Sequence, residues 1–309
     1  MKIEPYISIV SPVYSGENLV EELVRRIHQS VSTITTNYEI ILVEDCGSDA
    51  SWSKIVALSE KDSKIKGFKL SRNFGQHYAI TCGLDKSKGE WVVVMDCDLQ
   101  DQPEEIITLY RKATEGYDVV LAKRNQRKDS FLKKKFSEVF YRTLGYLTGS
   151  AMDEQVANFG IYHRKVINAL YELRESIRYF PTMVQWVGFK QTAISVTHSA
   201  RESGTSSYSF KRLLNLALDI ILAYSDKPIR LMIKLGALVS LLSFLMGSYF
   251  IIEYFRGNVT VQGYTSLILS IWFFSGLLLI LLGVVGLYVG KTFEGVKKRP
   301  IYLIQSETK

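Results

Sequence analysis

A chain of 309 residues has room for one large domain with an appendage. Lys and Arg number 38 against 31 Asp and Glu, a net charge of +7, yet they form no long stripe with interleaved aromatics, so no nucleic-acid partner is expected. The basic residues cluster at Lys123 to Lys135, Lys211 to Arg230 and Lys291 to Arg299, and the last two clusters flank apolar segments, as at a surface that meets anionic lipid.

The first residues, MKIEPYISIV, contain no long apolar stretch, and no secretory signal peptide is expected. From there to about residue 125, short apolar runs alternate with helical patterns. Strands are predicted at Ile7 to Val10, Glu39 to Val43, Gly67 to Leu70, Trp91 to Met95 and Val119 to Ala122. Between them Leu19, Leu23, Val24 and Ile27 recur at helical spacing, as do Ile55, Val56 and Leu58. Pro103 suits the first turn of a helix over Pro103 to Thr114. This alternation predicts an α/β fold with a mostly parallel sheet and helices on both faces. No GxGxxG follows the first strand and no P-loop pattern occurs, so the dinucleotide and P-loop readings lack support.

In open α/β sheets, ligands bind beyond the carboxyl ends of the strands. Here those ends carry acids: Glu17, Glu44, Asp45, Asp49, Asp96, Asp98 and Asp101. The densest stretch is WVVVMDCDLQDQPE, Trp91 to Glu104, where a buried strand runs into Asp96 and Asp98. Carboxylates at i and i+2 repel unless a cation or donor lies between them. Hard oxygen ligands suit Mg²⁺ or Mn²⁺ with substrate phosphates completing the shell, and a solvated Asp-rich loop is the plainer alternative. Cys46, Cys82 and Cys97 lack CxxC spacing and are read as reduced thiols, with neither a disulfide framework nor a zinc site. His28, His77, His163 and His198 show no metal-ligand spacing.

Two amphipathic stretches follow. Phe131 to Leu147 sets Lys133, Lys134 and Lys135 beside apolar positions, fitting either a bilayer surface or core packing. Ser209 to Tyr224, SFKRLLNLALDIILAY, fits a helix lying in the membrane interface. Leu235 to Ile252 carries no charge, nor does Gly257 to Gly290, whose dense apolar core is Leu267 to Val289. Each exceeds or approaches the roughly 20 residues that cross a hydrocarbon core. A short connection makes them a hairpin. Lys227, Arg230 and Lys234 precede it, Lys291, Lys297, Lys298 and Arg299 follow it, and the connection holds Arg256 alone. The positive-inside rule then puts the N-terminal domain and the C-terminal tail in the cytoplasm, at the inner membrane. Gly283, Gly286 and Gly290 permit close helix packing, consistent with a homo-oligomer.

SPVYSGENL (Ser11 to Leu19), VEDCGSDAS (Val43 to Ser51), RNFGQHYAITCGL (Arg72 to Leu84) and MDCDLQDQPE (Met95 to Glu104) together resemble family 2 glycosyltransferases with a GT-A fold. With the terminal hairpin, the chain is similar to the polyprenyl-phosphate glycosyltransferases, the group that includes dolichyl-phosphate mannose synthase. The resemblance implies a nucleotide-sugar donor, a UDP-hexose first, an undecaprenyl-type phosphate acceptor, and Mg²⁺ or Mn²⁺. It implies that Pro12, Tyr14 and Glu17 frame the nucleotide base and that Asp45 contacts the nucleotide. Asp96 would contact ribose or metal, Asp98 would be the principal metal ligand, and Gln100 and Asp101 would lie near the sugar. Arg124 and Arg127 match a basic segment after the fifth strand, and Arg201, Gly204 and Tyr208 a segment before the membrane helix. The implied division is a cytoplasmic catalytic domain over 1–208, a juxtamembrane interfacial helix over 209–230, transmembrane helices within 231–290 (about 235–255 and 266–289), and a cytoplasmic tail over 291–309.

Three departures stand out. The family often has Asp-Asp-Gly-Ser where this chain has Glu44, Asp45, Cys46 and Gly47. Many relatives carry Lys where Ser207 precedes Tyr208, and the QxxRW pattern of processive synthases is absent, the nearest segment being PTMVQW, Pro181 to Trp186. Processive polymerisation is therefore not expected.

A phosphate acceptor is already anionic near neutral pH, its second pKa being about 6, so its attack requires no strong general base. The expected chemistry is single displacement with inversion, with Arg201 and Arg124, then Arg127, binding phosphate oxygens in pairs. Alternatives are transfer to a glycan or protein hydroxyl, with Asp101 as base, and a non-catalytic membrane adaptor.

Overall fold

The computed structural model describes residues 4–124, 156–175, 177–197, 221, 225–256 and 263–308. The chain divides into two compact units: Met1–Gly145, Ser150–Ser209 and Arg299–Lys309 form one, Tyr146–Gly149 and Phe210–Lys298 the other.

The first unit is built on an eight-stranded sheet ordered β7-β5-β6-β4-β1-β2-β3-β8. Its first half is β1 (Ile7–Val13), α1 (Val20–Val31), β2 (Tyr38–Glu44), α2 (Ser51–Lys61), β3 (Ile65–Leu70), α3 (Gln76–Lys86) and β4 (Trp91–Val94). A 3₁₀ turn (Pro103–Glu105) leads into α4 (Ile106–Ala113), and then come β5 (Val119–Arg124), β6 (Val156–His163), α5 (Arg164–Glu172), α6 (Phe180–Trp186) and β7 (Gln191–Val196). β8 (Ile304–Glu307) closes the far edge. β1 pairs in parallel with β2 and with β4, β2 with β3, and β5 with β7. β6 and β8 run against their neighbours, so the sheet is mixed around a parallel centre.

All seven residues of β1 and all seven of β2 are buried, which is why they read as unbroken apolar runs. On one face, Leu23, Val24 and Ile27 of α1 pack with Ile9, Leu42 and Val93. Fully burying each such side chain contributes about 1.5–3 kcal/mol. On the other face lies α3. A Cβ at Gly83 would sit 2.3 Å from Val10 Cγ1, so the helix rests directly on β1 and only glycine permits that approach. The chain crosses from β3 back over β1 to β4, so the strand order reverses between β1 and β4. That reversal opens a crevice at their carboxyl ends.

β8 is a strand that the sequence reading does not anticipate. It pairs antiparallel with β3, Phe68 opposite Glu307 and Leu70 opposite Ile304. Gly67 N–H donates to Thr308 Oγ1 at 2.9 Å, and Thr308 N–H returns to the Gly67 carbonyl at 3.0 Å. The chain thus leaves the first unit for the second and comes back to cover a sheet edge that would otherwise stand open.

In the second unit, α7 (Lys227–Phe255) has 29 residues and α8 (Tyr264–Val296) has 33, lengths of about 43 and 50 Å at 1.5 Å per residue. Lys227–Met246 and Ser270–Val296 are long and apolar enough to cross a membrane. Side chains such as Phe244, Trp272 and Leu279 point outward rather than into a protein core. α7 extends past both ends of its uncharged run, and α8 past the C-terminal end of its own. Long basic side chains keep helical backbone while carrying their charge away from apolar surroundings. Phe131 to Leu147 and all but residue 221 of Ser209 to Tyr224 lie outside the described residues.

Candidate active site

Four loops meet at the carboxyl ends of the central strands. The loops after β1 and β2 are stitched to each other. Gly16 N–H donates to Ser51 Oγ at 2.9 Å, and Glu17 N–H to Asp49 Oδ2 at 2.9 Å. Ala50 N–H in turn donates to Glu17 Oε2 at 3.2 Å. Glu17 therefore holds the wall of the crevice with its backbone and its carboxylate together. Pro12 is buried within β1, whereas Tyr14, just past the strand, is 55% exposed and free to offer its ring to a planar ligand.

Asp45 is 3% exposed and turns inward. Its Oδ1 accepts from Phe74 N–H and its Oδ2 from Gly75 N–H, each at 2.8 Å. Burial pushes its carboxyl up, and the two N–H donors pull the other way. Gly75 has φ of 106°, a conformation that side chains disfavour, so the loop after β3 needs glycine at this place. Arg72 lies in that loop with its guanidinium 4.1 Å over the Phe74 ring. The next residue, Gln76, donates from Nε2 to Asp96 Oδ1 at 2.5 Å.

Past β4, Gln100 N–H donates to Asp98 Oδ1 at 3.2 Å, and Leu99 between them takes a left-handed φ of 57°. Asp98 stays partly exposed, while Asp101 is only 2% exposed. Cys97, between the two aspartates, is a packing group. Burial pushes its thiol up to about 12, and a Cβ on Gly16 would lie 3.4 Å from its sulfur. Ser15 (φ 53°) and Cys46 (φ 54°) are also left-handed, so three loops of the site hold non-glycine residues at a cost of roughly 1–2 kcal/mol each. Glu44, 1% exposed, lies beneath the loop it precedes, accepting from Gly47 N–H with its other oxygen 3.8 Å from Lys69 Nζ. Burial raises its carboxyl as well. His77 is forced down to about 4 by burial, accepts from Phe180 N–H at 3.5 Å, and stacks edge-on with Tyr179 at 4.8 Å.

The fold thus brings Pro12, Tyr14, Glu17, Asp45, Asp96, Asp98, Gln100 and Asp101 to one end of the sheet. Arg124 closes β5 at that same end, its backbone opposite Val196. Arg127, Arg201, Gly204 and Tyr208 lie outside the described residues. The sequence reading missed Gln76 and Arg72, although both stand in a motif it singled out just past a strand end. Among the described residues, no group of three or more His, Cys, Asp or Glu converges as a ready-made cation cage. The donors present are the hard carboxylates of Asp96 and Asp98, which fit a divalent cation that takes its remaining oxygens from phosphate and water.

Residues 8–171 match the family described as Glycosyl transferase family 2. The chain belongs to that family. This family 2 enzyme is 38% identical over 301 residues to the uncharacterized glycosyltransferase YkcC of Bacillus subtilis, covering 96% of this chain and 93% of the relative. It is 34% identical over 302 residues to an undecaprenyl-phosphate 4-deoxy-4-formamido-L-arabinose transferase of Klebsiella pneumoniae, covering 97% and 92%. Among solved structures, glucosyl-3-phosphoglycerate synthase of Mycobacterium tuberculosis with Mn²⁺ and UDP-glucose superposes with a TM-score of 0.52 at 15% identity, over 71% of this chain and 77% of that one. That likeness establishes the GT-A fold. The protein is a glycosyltransferase with a GT-A catalytic unit and two apolar helices of membrane-spanning length.

Proposed function

We propose that this glycosyltransferase moves a sugar, a hexose from UDP first, onto a polyprenyl phosphate at the cytoplasmic face of the inner membrane. One observation carries the reading: similarity to the Klebsiella pneumoniae transferase, whose name states an undecaprenyl-phosphate acceptor, runs through the catalytic unit and both apolar helices. The basic flanks of the hairpin support a cytoplasmic catalytic unit, and β8 supports a tail on that same side, since a tail paired with β3 must share the domain's side of a bilayer.

In this reading Tyr14 covers the base, and the stitched loops of Glu17, Asp45 and Asp49 form the nucleotide wall. Asp98 and Asp96 would hold Mg²⁺ or Mn²⁺, and the ion would supply positive charge to offset that developing on the leaving diphosphate. Gln100 and Asp101 border the sugar. Arg124, Arg127 and Arg201 bind the acceptor phosphate, whose anionic oxygen attacks the anomeric carbon in line as the nucleotide diphosphate leaves, inverting the configuration. A homo-oligomer completes the proposal. A Cβ at Gly283, Gly286 or Gly290 would meet nothing within 4 Å, so this face of α8 has room for a second helix.

The test compares undecaprenyl phosphate with undecaprenol as acceptors. Transfer to the phosphate alone fits the proposal. Transfer to the alcohol, or to a glycan hydroxyl with neither lipid, contradicts it and turns attention to Asp101 as a base.

A further inference from the structure

Helix α3 is held at both ends. At its carboxyl end Asp85 Oδ2 accepts from Tyr302 Oη at 2.9 Å and from Arg174 Nη1 at 3.0 Å. Along its length Ala79, Ile80, Cys82 and Gly83 are buried, with Gly83 seated on Val10. At its start Asp45 fixes the Phe74 and Gly75 amides. Gln76, the first helical residue, therefore leaves from a pinned point, and its Nε2 reaches Asp96 Oδ1 at 2.5 Å. An ionised carboxylate only accepts, so the amide must present its NH₂ to it.

We propose that Gln76 is a positioning residue that fixes the orientation of the Asp96 carboxylate. The inference rests on the metal-dependent donor binding proposed above. Asp96 and Asp98 stand two residues apart and repel when both are charged. A donor fixed on Asp96 offsets part of that repulsion and holds one oxygen, so the carboxylate faces cation and nucleotide without reorganising first. The amide arises from a different strand–helix junction than either aspartate. Asp45 and Asp96, just past the ends of β2 and β4 with β1 between those strands, are thus linked through three consecutive residues, Phe74, Gly75 and Gln76. Outer partners of this type typically change metal affinity or activity by about 10- to 100-fold when removed.

The test uses full-length protein in detergent and titrates UDP and GDP calorimetrically, with and without Mn²⁺. Gln76→Leu keeps bulk and loses the donor, and Gln76→Asn keeps an amide too short to reach. Both are expected to lose about tenfold or more of the affinity that Mn²⁺ adds. Metal-free nucleotide affinity and Tm should stay at wild-type values. Tyr302→Phe, which loosens the far end of α3, should lower Tm and leave the Mn²⁺ increment intact. Gln76 variants with an undiminished Mn²⁺ increment, or with equal losses in both metal states, overturn the inference alone. A wild type whose nucleotide binding ignores Mn²⁺ overturns the metal reading and this inference with it.

Discussion

Asp45, the residue after β2, and Gly75 at the head of α3 are joined by a 2.8 Å hydrogen bond in which a buried carboxylate accepts a backbone N–H. The second oxygen takes Phe74 N–H in the same way, so this aspartate folds the loop that delivers Gln76. Asp45→Ala leaves both amides without their acceptor, at about 1–3 kcal/mol for each that stays dry. A marked fall in Tm, together with loss of nucleotide binding, is expected. An Asp45→Ala protein that melts like wild type and loses only nucleotide affinity would mean the carboxylate serves the ligand directly.

Glu44 gives a pH signature. Burial raises its carboxyl in the folded protein, so the folded state binds this proton more tightly than the unfolded state does. Its contribution is therefore most favourable below the unfolded pKa of about 4.3 and is lost as pH rises through the higher folded value. Glu44→Gln should remove that loss. Chemical denaturation from pH 4 to 8 should show the variant gaining on wild type as pH rises. A constant difference across the range would refute the assignment.

Cys46 and Leu99 share a left-handed backbone but predict opposite responses to glycine. At Cys46, which is only half-buried, relief of roughly 1–2 kcal/mol of strain outweighs the flexibility glycine adds to the unfolded chain, and Tm should rise. Leu99 is 3% exposed and packs in the main core, where truncation costs about 2–5 kcal/mol, so Leu99→Gly should lower Tm despite the same relief. The two melting curves decide the balance.

The sheet edge carries another expectation. Removing residues 300–309 takes away β8, the Thr308 bonds to Gly67 and the Tyr302 bond to Asp85. The catalytic unit should melt lower and aggregate more readily from the bared edge of β3. Unchanged melting and solution behaviour would make β8 dispensable.

What was legible in the sequence follows from burial. β1, β2 and β4 run through the core with both faces covered, so their apolar runs stand out, and Leu23, Val24 and Ile27 mark the inner face of α1. Asp96 and Asp98 were legible because acids directly follow such a run. β6 was not anticipated, because it returns antiparallel between β4 and β5 and breaks the strand–helix alternation. β8, IQSE, is held by backbone pairing at an edge and carries no apolar pattern at all. The bond from Gln76 to Asp96 joins residues 20 apart on different junctions, which no local spacing reveals.

The central claim is metal-dependent transfer to a lipid phosphate. Purified protein should be incubated with undecaprenyl phosphate, Mn²⁺ or Mg²⁺, and a panel of labelled UDP- and GDP-sugars, with Asp98→Ala in parallel. The account predicts organic-extractable label that requires the lipid, the cation and Asp98. Label that forms without lipid phosphate, or that survives in Asp98→Ala, would contradict it.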